Sequence, residues 1–275
     1  LMQEVGGFDH NFQTLKTVTV LERQYVKFSG LNLCFESLDG IVKHNGPIDG
    51  KNEPVSLFWD ENIALGESSG ERYLSLFPSL EAQVASLSDD IAYCAHDIAD
   101  GHEAGILSYE NLRTSPFFGE FLVSEQPREY HVSLSVAQGC RDLIRYLVND
   151  LIFQTQKNIK DLQTNASNTK NSNLIAFSSG TVKKVVALKK YLFKNLYRSE
   201  EINFMRSQAE EIINTLFEYY LDNLDDIPLS FIENKYYSKF ESFRDRKLNL
   251  VGDFIASMTD KEALETFGQI KIRVK

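Results

Sequence analysis

Cysteine is scarce in this chain: Cys34, Cys94 and Cys140 are the only three in 275 residues, far apart and odd in number. They form no CxxC pair and no zinc-ligand spacing. That excludes a disulfide framework and leaves buried free thiols in a reducing cytoplasm as the simplest reading. No apolar run reaches the about 18 residues that a membrane-spanning helix needs, so no membrane partner is expected. The first residues, Leu1-Met2-Gln3-Glu4, lack a basic stretch followed by an apolar one, so no secretory leader is expected either. Excess positive charge is also missing: 29 Lys and Arg stand against 39 Asp and Glu, a net charge of −10. Such a field repels nucleic acid and anionic lipid, yet it leaves room for a local basic pocket that holds a small polyanion. Internal repeats and low-complexity linkers are absent.

What is present is helical period. The composition, 43% hydrophobic and 25% charged, is ordinary for a globular protein. From Asn11 to Phe28, the residues Phe12, Leu15, Val18, Leu21 and Tyr25 recur every three or four positions, which predicts an amphipathic helix. A second helix is predicted over Cys34 to Lys43, stopped by Asn45-Gly46-Pro47. Residues 48–76 read as a loop. Ser79 is a predicted N-cap for a helix that ends at Gly101. A long helix is expected over 129–160, with Val136, Cys140, Leu143, Leu147, Leu151 and Phe153 on one stripe. The polar stretch Gln163 to Asn173 reads as a surface loop. Further helices are expected near 181–198, 201–223 and 240–257, followed by a short last helix capped at Thr259-Asp260. The alternating tail from Gln269 to Val274 reads as a short strand. The expectation is one all-α domain over residues 1–275, irregular rather than a simple bundle.

The segment from Leu80 to Gly101 is the most informative. At about 100° per residue, Val84, Leu87, Ile91, Ala95 and Ile98 fall on one stripe. Asp89, Tyr93 and Asp97, spaced i, i+4, i+8, lie on the opposite side. The plain reading is a solvated polar face. The functional reading is a carboxylate ligand for Mg²⁺ or Mn²⁺, followed by a phenol and a second carboxylate that contact a sugar hydroxyl. His96-Asp97 are adjacent, but neighbouring helix residues point about 100° apart, so the pair alone is no metal site.

The run Gly6-Gly7-Phe8-Asp9-His10-Asn11-Phe12-Gln13 resembles the GGFxHNxQ motif of the HD-type deoxynucleoside triphosphate triphosphohydrolases, the dGTPase-like enzymes. The resemblance continues through Gly30-Leu31-Asn32-Leu33, Glu36 to Gly40, Lys43-His44-Asn45-Gly46-Pro47 and Leu80 to Ala85. Ser88 to Tyr93, His96-Asp97-Ile98 and Asp100-Gly101 follow. Later matches are Ile175 to Ser178, Leu188 to Phe193 with Tyr197-Arg198, and Asp253 to Asp260. The matches keep the family's order over nearly the whole chain.

The resemblance implies an irregular multi-helix HD-domain phosphohydrolase fold, with residues 1–125 completing the HD core and 126–275 forming a helical C-terminal part. It implies a divalent metal, Mg²⁺ or Mn²⁺, with Asp89 as a ligand. It assigns Tyr93 and Asp97 to the deoxyribose, with Asp97 on the 3′-OH. His10 is placed near the phosphates, for proton transfer or charge stabilisation, and Lys189 and Tyr197 contact the triphosphate and sugar. In the family, a first His and a His-Asp pair lie upstream of the glycine motif. Here nine residues precede His10 and none is His, so the N-terminal part carrying those ligands is expected before residue 1. The implied reaction is cleavage of a deoxynucleoside triphosphate to deoxynucleoside and tripolyphosphate, in a cytoplasmic homo-oligomer, commonly a hexamer, with a nucleotide effector in some relatives. The alternatives are a non-catalytic nucleotide sensor and an HD phosphohydrolase acting on another nucleotide. On local grounds Lys189 fits a solvated helix face as well, His44 fits a turn-bonding role, and Asp260 fits a helix cap.

Overall fold

The computed structural model describes residues 1–48, 55, 58–59, 63, 74–122, 131–165 and 173–273. Among these the regular structure is helical and no strand occurs. The α-helices in chain order are α1 (His10–Lys16), α2 (Phe35–Val42), α3 (Leu80–Glu103), α4 (Tyr109–Arg113), α5 (Val132–Asn165), α6 (Ser179–Asn195), α7 (Glu200–Asp222), α8 (Leu229–Ile232), α9 (Phe243–Ala256) and α10 (Asp260–Arg273). No helix among the described residues is long and apolar enough to cross a membrane. By its contacts the chain divides into two compact units. The first comprises Leu1–Val42, Ile48–Ser75 and Met205–Lys275; the second comprises Lys43–Pro47 and Leu76–Phe204.

The first unit gathers Leu15 of α1, Leu38 and Val42 of α2, Leu216 and Phe217 of α7, and Leu248 and Val251 of α9 into one core. The helix predicted over 11–28 stops earlier than its apolar period suggests. α1 passes into a π turn, Thr17–Leu21, through the β-branched run Thr17-Val18-Thr19-Val20. The Thr17 and Thr19 hydroxyls donate back to the carbonyls of Gln13 and Leu15, at 2.9 and 2.7 Å, an arrangement that bends a helix. Glu22 then takes extended backbone angles and ends it. Residues 22–30 form a loop closed by the Gly30 N–H on the Glu22 carbonyl at 2.8 Å. Gly30 has φ +71°, and a Cβ there would sit 2.3 Å from the Thr19 carbonyl oxygen, so only glycine closes this loop.

Two further expectations change in this unit. Part of the predicted loop over 48–76 is core: Val55, Phe58, Trp59 and Leu74 are all buried. The rest of that stretch, apart from Ile48, Ile63, Ser75 and Leu76, lies outside the described residues. The tail read as a strand is helical through Arg273, with Val274 outside the described residues. Ile270 and Ile272 are not on one face, since Ile270 is buried and Ile272 exposed, and Lys271 and Arg273 suit the negative end of a helix. The expected cap is made by Thr259. Its hydroxyl accepts from the Glu262 N–H at 3.2 Å, while the Glu262 carboxylate accepts from the Thr259 N–H at 2.8 Å, a capping box.

The second unit is built on α3, which packs against α5 and α6. Ser79 caps α3 as predicted, its hydroxyl accepting from the Ala82 N–H at 3.3 Å. The helix does not end at Gly101 but runs on to Glu103. Gly101 serves packing, because a Cβ there would come within 2.8 Å of Leu107 Cδ1. The buried face carries Ile91, Cys94, Ala95 and Ile98, whereas Val84, on the predicted stripe, is 45% exposed because the apolar partners begin a turn later, at Leu87. On α5 the stripe Val136, Cys140, Leu143, Leu147 and Leu151 is buried, but Phe153 is exposed. α5 starts at Val132 and runs on to Asn165, past the predicted 160 and into the stretch read as a polar loop. Residues 129–130 and 166–172 lie outside the described residues.

Candidate functional site

The site in the second unit begins with how α6 is set against α3. The segment leading into α6 is held by two polar side chains. Gln83 of α3, buried, accepts from the N–H groups of Leu174 and Ile175 at 3.1 and 3.2 Å, and donates to the Pro78 carbonyl at 2.9 Å. Asp150 of α5 accepts from both the N–H and the hydroxyl of Ser178, at 2.8 and 2.7 Å. Ser178 in turn caps α6, accepting from the Thr181 N–H at 3.3 Å. Ile175 and Phe177 anchor the segment in the core. The start and the direction of α6 are therefore fixed before it delivers Lys189, and then Tyr197 just past its end.

Lys189 Nζ lies 2.7 Å from Asp90 Oδ1 on α3. Both side chains are about two-fifths exposed, so the pair contributes little to stability, of order 1 kcal/mol or less, and leaves the ammonium available to an incoming anion. Next along α3, the rings of Tyr93 and Tyr197 lie 6.1 Å apart at 24°. The Tyr197 hydroxyl donates to the Asp97 carboxylate. Burial pushes the Asp97 carboxyl up to about 6; the negative charge of Asp100 adds to this and His96 opposes it. The Tyr93 hydroxyl is raised as well, by burial first and then by Asp97, with Lys189 working against the rise. Behind the face, burial raises the Cys94 thiol to about 11, so it is an inert core group.

Four of the residues singled out in the sequence thus meet: Tyr93, Asp97 and Tyr197 directly, and Lys189 beside them through Asp90. Asp90 carries no role in the sequence reading. Its signal was the spacing to Asp97: seven residues bring a helix back to within about 20° of the same face. Asp89 is exposed on the same helix, and its charge is felt at Tyr93. Among the described residues no group of three or more His, Cys, Asp or Glu is placed to hold a metal ion, so these residues alone do not make up a divalent-metal site.

His10 belongs to the first unit, where it is the exposed first residue of α1. The approach to it explains the glycine motif. Gly6 and Gly7 have φ of +92° and +87°, and Asp9 caps the helix by accepting from the Phe12 N–H at 2.7 Å. Two more histidines serve local structure. His44 Nε2 lies 2.9 Å from the Asn45 amide in its turn, and His102 Nδ1 lies 2.9 Å from the Leu107 carbonyl.

Residues 175–269 match the phosphohydrolase-associated domain. A deoxyguanosinetriphosphate triphosphohydrolase-like protein of Rickettsia peacockii (strain Rustic) is 34% identical over 98% of this chain and 68% of its own length. A protein of the same description from Bradyrhizobium diazoefficiens is 35% identical, over 96% of this chain and 67% of its own length. The chain belongs to the deoxyguanosinetriphosphate triphosphohydrolase-like family.

Proposed function

We propose that this chain binds a deoxynucleoside triphosphate and takes part in its hydrolysis to deoxynucleoside and tripolyphosphate. The observation that supports this best is the meeting of Tyr93, Tyr197 and Asp97 beside Lys189. A pair of rings offers a flat wall to a deoxyribose. A half-buried carboxylate at its edge accepts from the 3′-OH. The Tyr197 hydroxyl already holds that carboxylate in place, so little ordering remains when the sugar arrives. Lys189, held only by a half-exposed partner, turns to the phosphates and offsets their charge.

In the reaction a water oxygen bonds to the α-phosphorus and the bond from phosphorus to the 5′-oxygen breaks. The leaving 5′-oxygen takes up a proton. His10 is the donor on this reading, since an imidazole is the side chain suited to passing a proton near neutral pH. Asp89 is the one oxygen ligand we assign toward Mg²⁺ or Mn²⁺. Residues 1–125 then complete the catalytic core and 126–275 form the helical C-terminal part.

The test is incubation of the full-length protein with each dNTP and Mg²⁺ or Mn²⁺, with anion-exchange separation of the products. Deoxynucleoside and tripolyphosphate are expected, and they are lost in a folded Asp89→Ala variant. Orthophosphate or pyrophosphate as the product overturns the reaction class. Binding without turnover turns the assignment toward a nucleotide sensor.

A further inference from the structure

The core of the first unit holds polar side chains that a dry interior ordinarily excludes. Lys16 of α1 is 5% exposed and Asp253 of α9 is 1% exposed, and the two form an ion pair. The hydroxyl of Tyr237, wholly buried, donates to the second Asp253 oxygen at 3.3 Å. The Gln13 side chain bonds the same carboxylate. Burial pushes the Asp253 carboxyl up, and Lys16, Gln13 and Tyr237 all pull it back.

Such an arrangement is a poor way to stabilise a fold. The desolvation of two ions often exceeds their attraction, and a well-packed apolar pair does as well or better. What it does supply is direction. Lys16 and Gln13 both lie on α1, which has only 7 residues and cannot hold itself rigid in isolation. At about 100° per residue, positions 10, 13 and 16 lie within about 120° of arc around the helix. Fixing Gln13 and Lys16 on one carboxylate therefore fixes the roll of α1, and with it the direction of His10 one turn before Gln13. The approach to α1 is fastened to the same helix, α9. Glu4 pairs with Arg244 at 2.7 Å, and Met2 packs so closely on Gly252 that a Cβ there would meet its sulfur at 2.9 Å.

We propose that Asp253, with Lys16, Gln13 and Tyr237, is a positioning cluster through which the phosphohydrolase-associated segment sets the roll of α1 and presents His10. This rests on the reading of His10 as the proton donor. It assigns the cluster to geometry rather than to stability, and the two are separable.

The test uses the full-length protein and three variants: His10→Gln, Asp253→Asn, and the paired apolar change Lys16→Met with Asp253→Leu. The paired variant should unfold at the same urea concentration as the parent or higher. Its kcat should nevertheless fall by about 10- to 100-fold, as misplacement of a catalytic group does, while KM stays within about twofold. Amide exchange over residues 10–16 should quicken while the second unit is unchanged. Adding His10→Gln to the paired variant should cost little more, because both changes remove one contribution. If the paired variant does not fold, Asp253→Asn carries the same expectations for kcat and exchange. A folded variant with parental kcat, or with unchanged exchange in α1, overturns the cluster. Full activity in His10→Gln alone overturns the reading of His10 instead, and with it the purpose assigned here.

Discussion

If Asp97 accepts from the sugar 3′-OH as proposed, its carboxyl should set a pH dependence on sugar binding. Its folded value is about 6, against an ordinary carboxylate value of 3.8, because burial and Asp100 disfavour the charge. A 3′-OH donates to the ionised form, so binding should strengthen as the pH rises through about 6. At about pH 8 nearly every molecule carries the carboxylate; at about pH 5 only about one in ten does, so affinity for a deoxynucleoside should fall about tenfold between them. An unperturbed aspartate would give almost no change over that range. A deoxynucleoside is the right probe because, unlike a triphosphate, it does not titrate there. Calorimetric titration across this range tests it, beside the 3′-deoxy analogue and an Asp97→Asn variant, both expected to be flat. A His96→Gln variant removes the neighbouring imidazole and should keep the slope. Binding that is independent of pH refutes the argument. So does an equal slope for the analogue that lacks the 3′-OH.

The same shift predicts a stability effect of definite sign. A raised carboxyl favours the folded state fully below the ordinary value of 3.8, and that contribution is lost as pH rises through about 6. Asp97→Asn should therefore raise Tm near pH 7 and change it less near pH 4; a lower Tm near pH 7 contradicts this. Gln83→Leu strips partners from the N–H groups of half-buried Leu174 and buried Ile175 and from the Pro78 carbonyl. At about 1–3 kcal/mol for each orphaned group, urea unfolding should show a loss above 2 kcal/mol, and a loss below about 1 kcal/mol refutes it. Burial raises the thiols of both Cys94 and Cys140 to about 11, while Cys34 is exposed. In the native protein near pH 8, one thiol should react quickly with an aromatic disulfide and two only on unfolding; fast reaction of more than one refutes the burial argument.

Helix existence was legible because it depends on period, and period is local. α3, α5, α6, α7 and α9 all lie close to where apolar spacing and caps put them. Boundaries failed where a short-range rule met a packing demand. Gly101 reads as a stop, but the backbone passes through it because Leu107 needs the room of the missing Cβ. The run Thr17 to Val20 keeps a helical apolar period, yet its threonine hydroxyls bond backward, and the helix ends at Leu21, about two turns before Phe28. Val55, Phe58 and Trp59 carry an i, i+3, i+4 signal one turn long, too short to register against the polar residues around it.

The acidic face shows most sharply what spacing gives and withholds. Asp89, Tyr93 and Asp97 at i, i+4, i+8 look like one row, but eight residues turn a helix by about 80° beyond two full circles. Seven residues miss by only about 20°. The row that meets α6 is accordingly Asp90, Tyr93 and Asp97, and the two acids at its ends take different partners, a lysine and a tyrosine. Those partners lie 99 and 100 residues away, and no local pattern joins them. They share a face because Gln83 and Asp150 fix the start of α6, and its 17 residues, together with the turn after them, carry Lys189 and Tyr197 down α3 in register with Asp90 and Asp97. The geometry of this face is set in part by Gln83 and Asp150, which are not themselves part of it. A substitution at Gln83 or Asp150 should therefore disturb sugar binding as well as stability, whereas one at exposed Phe153 should disturb neither.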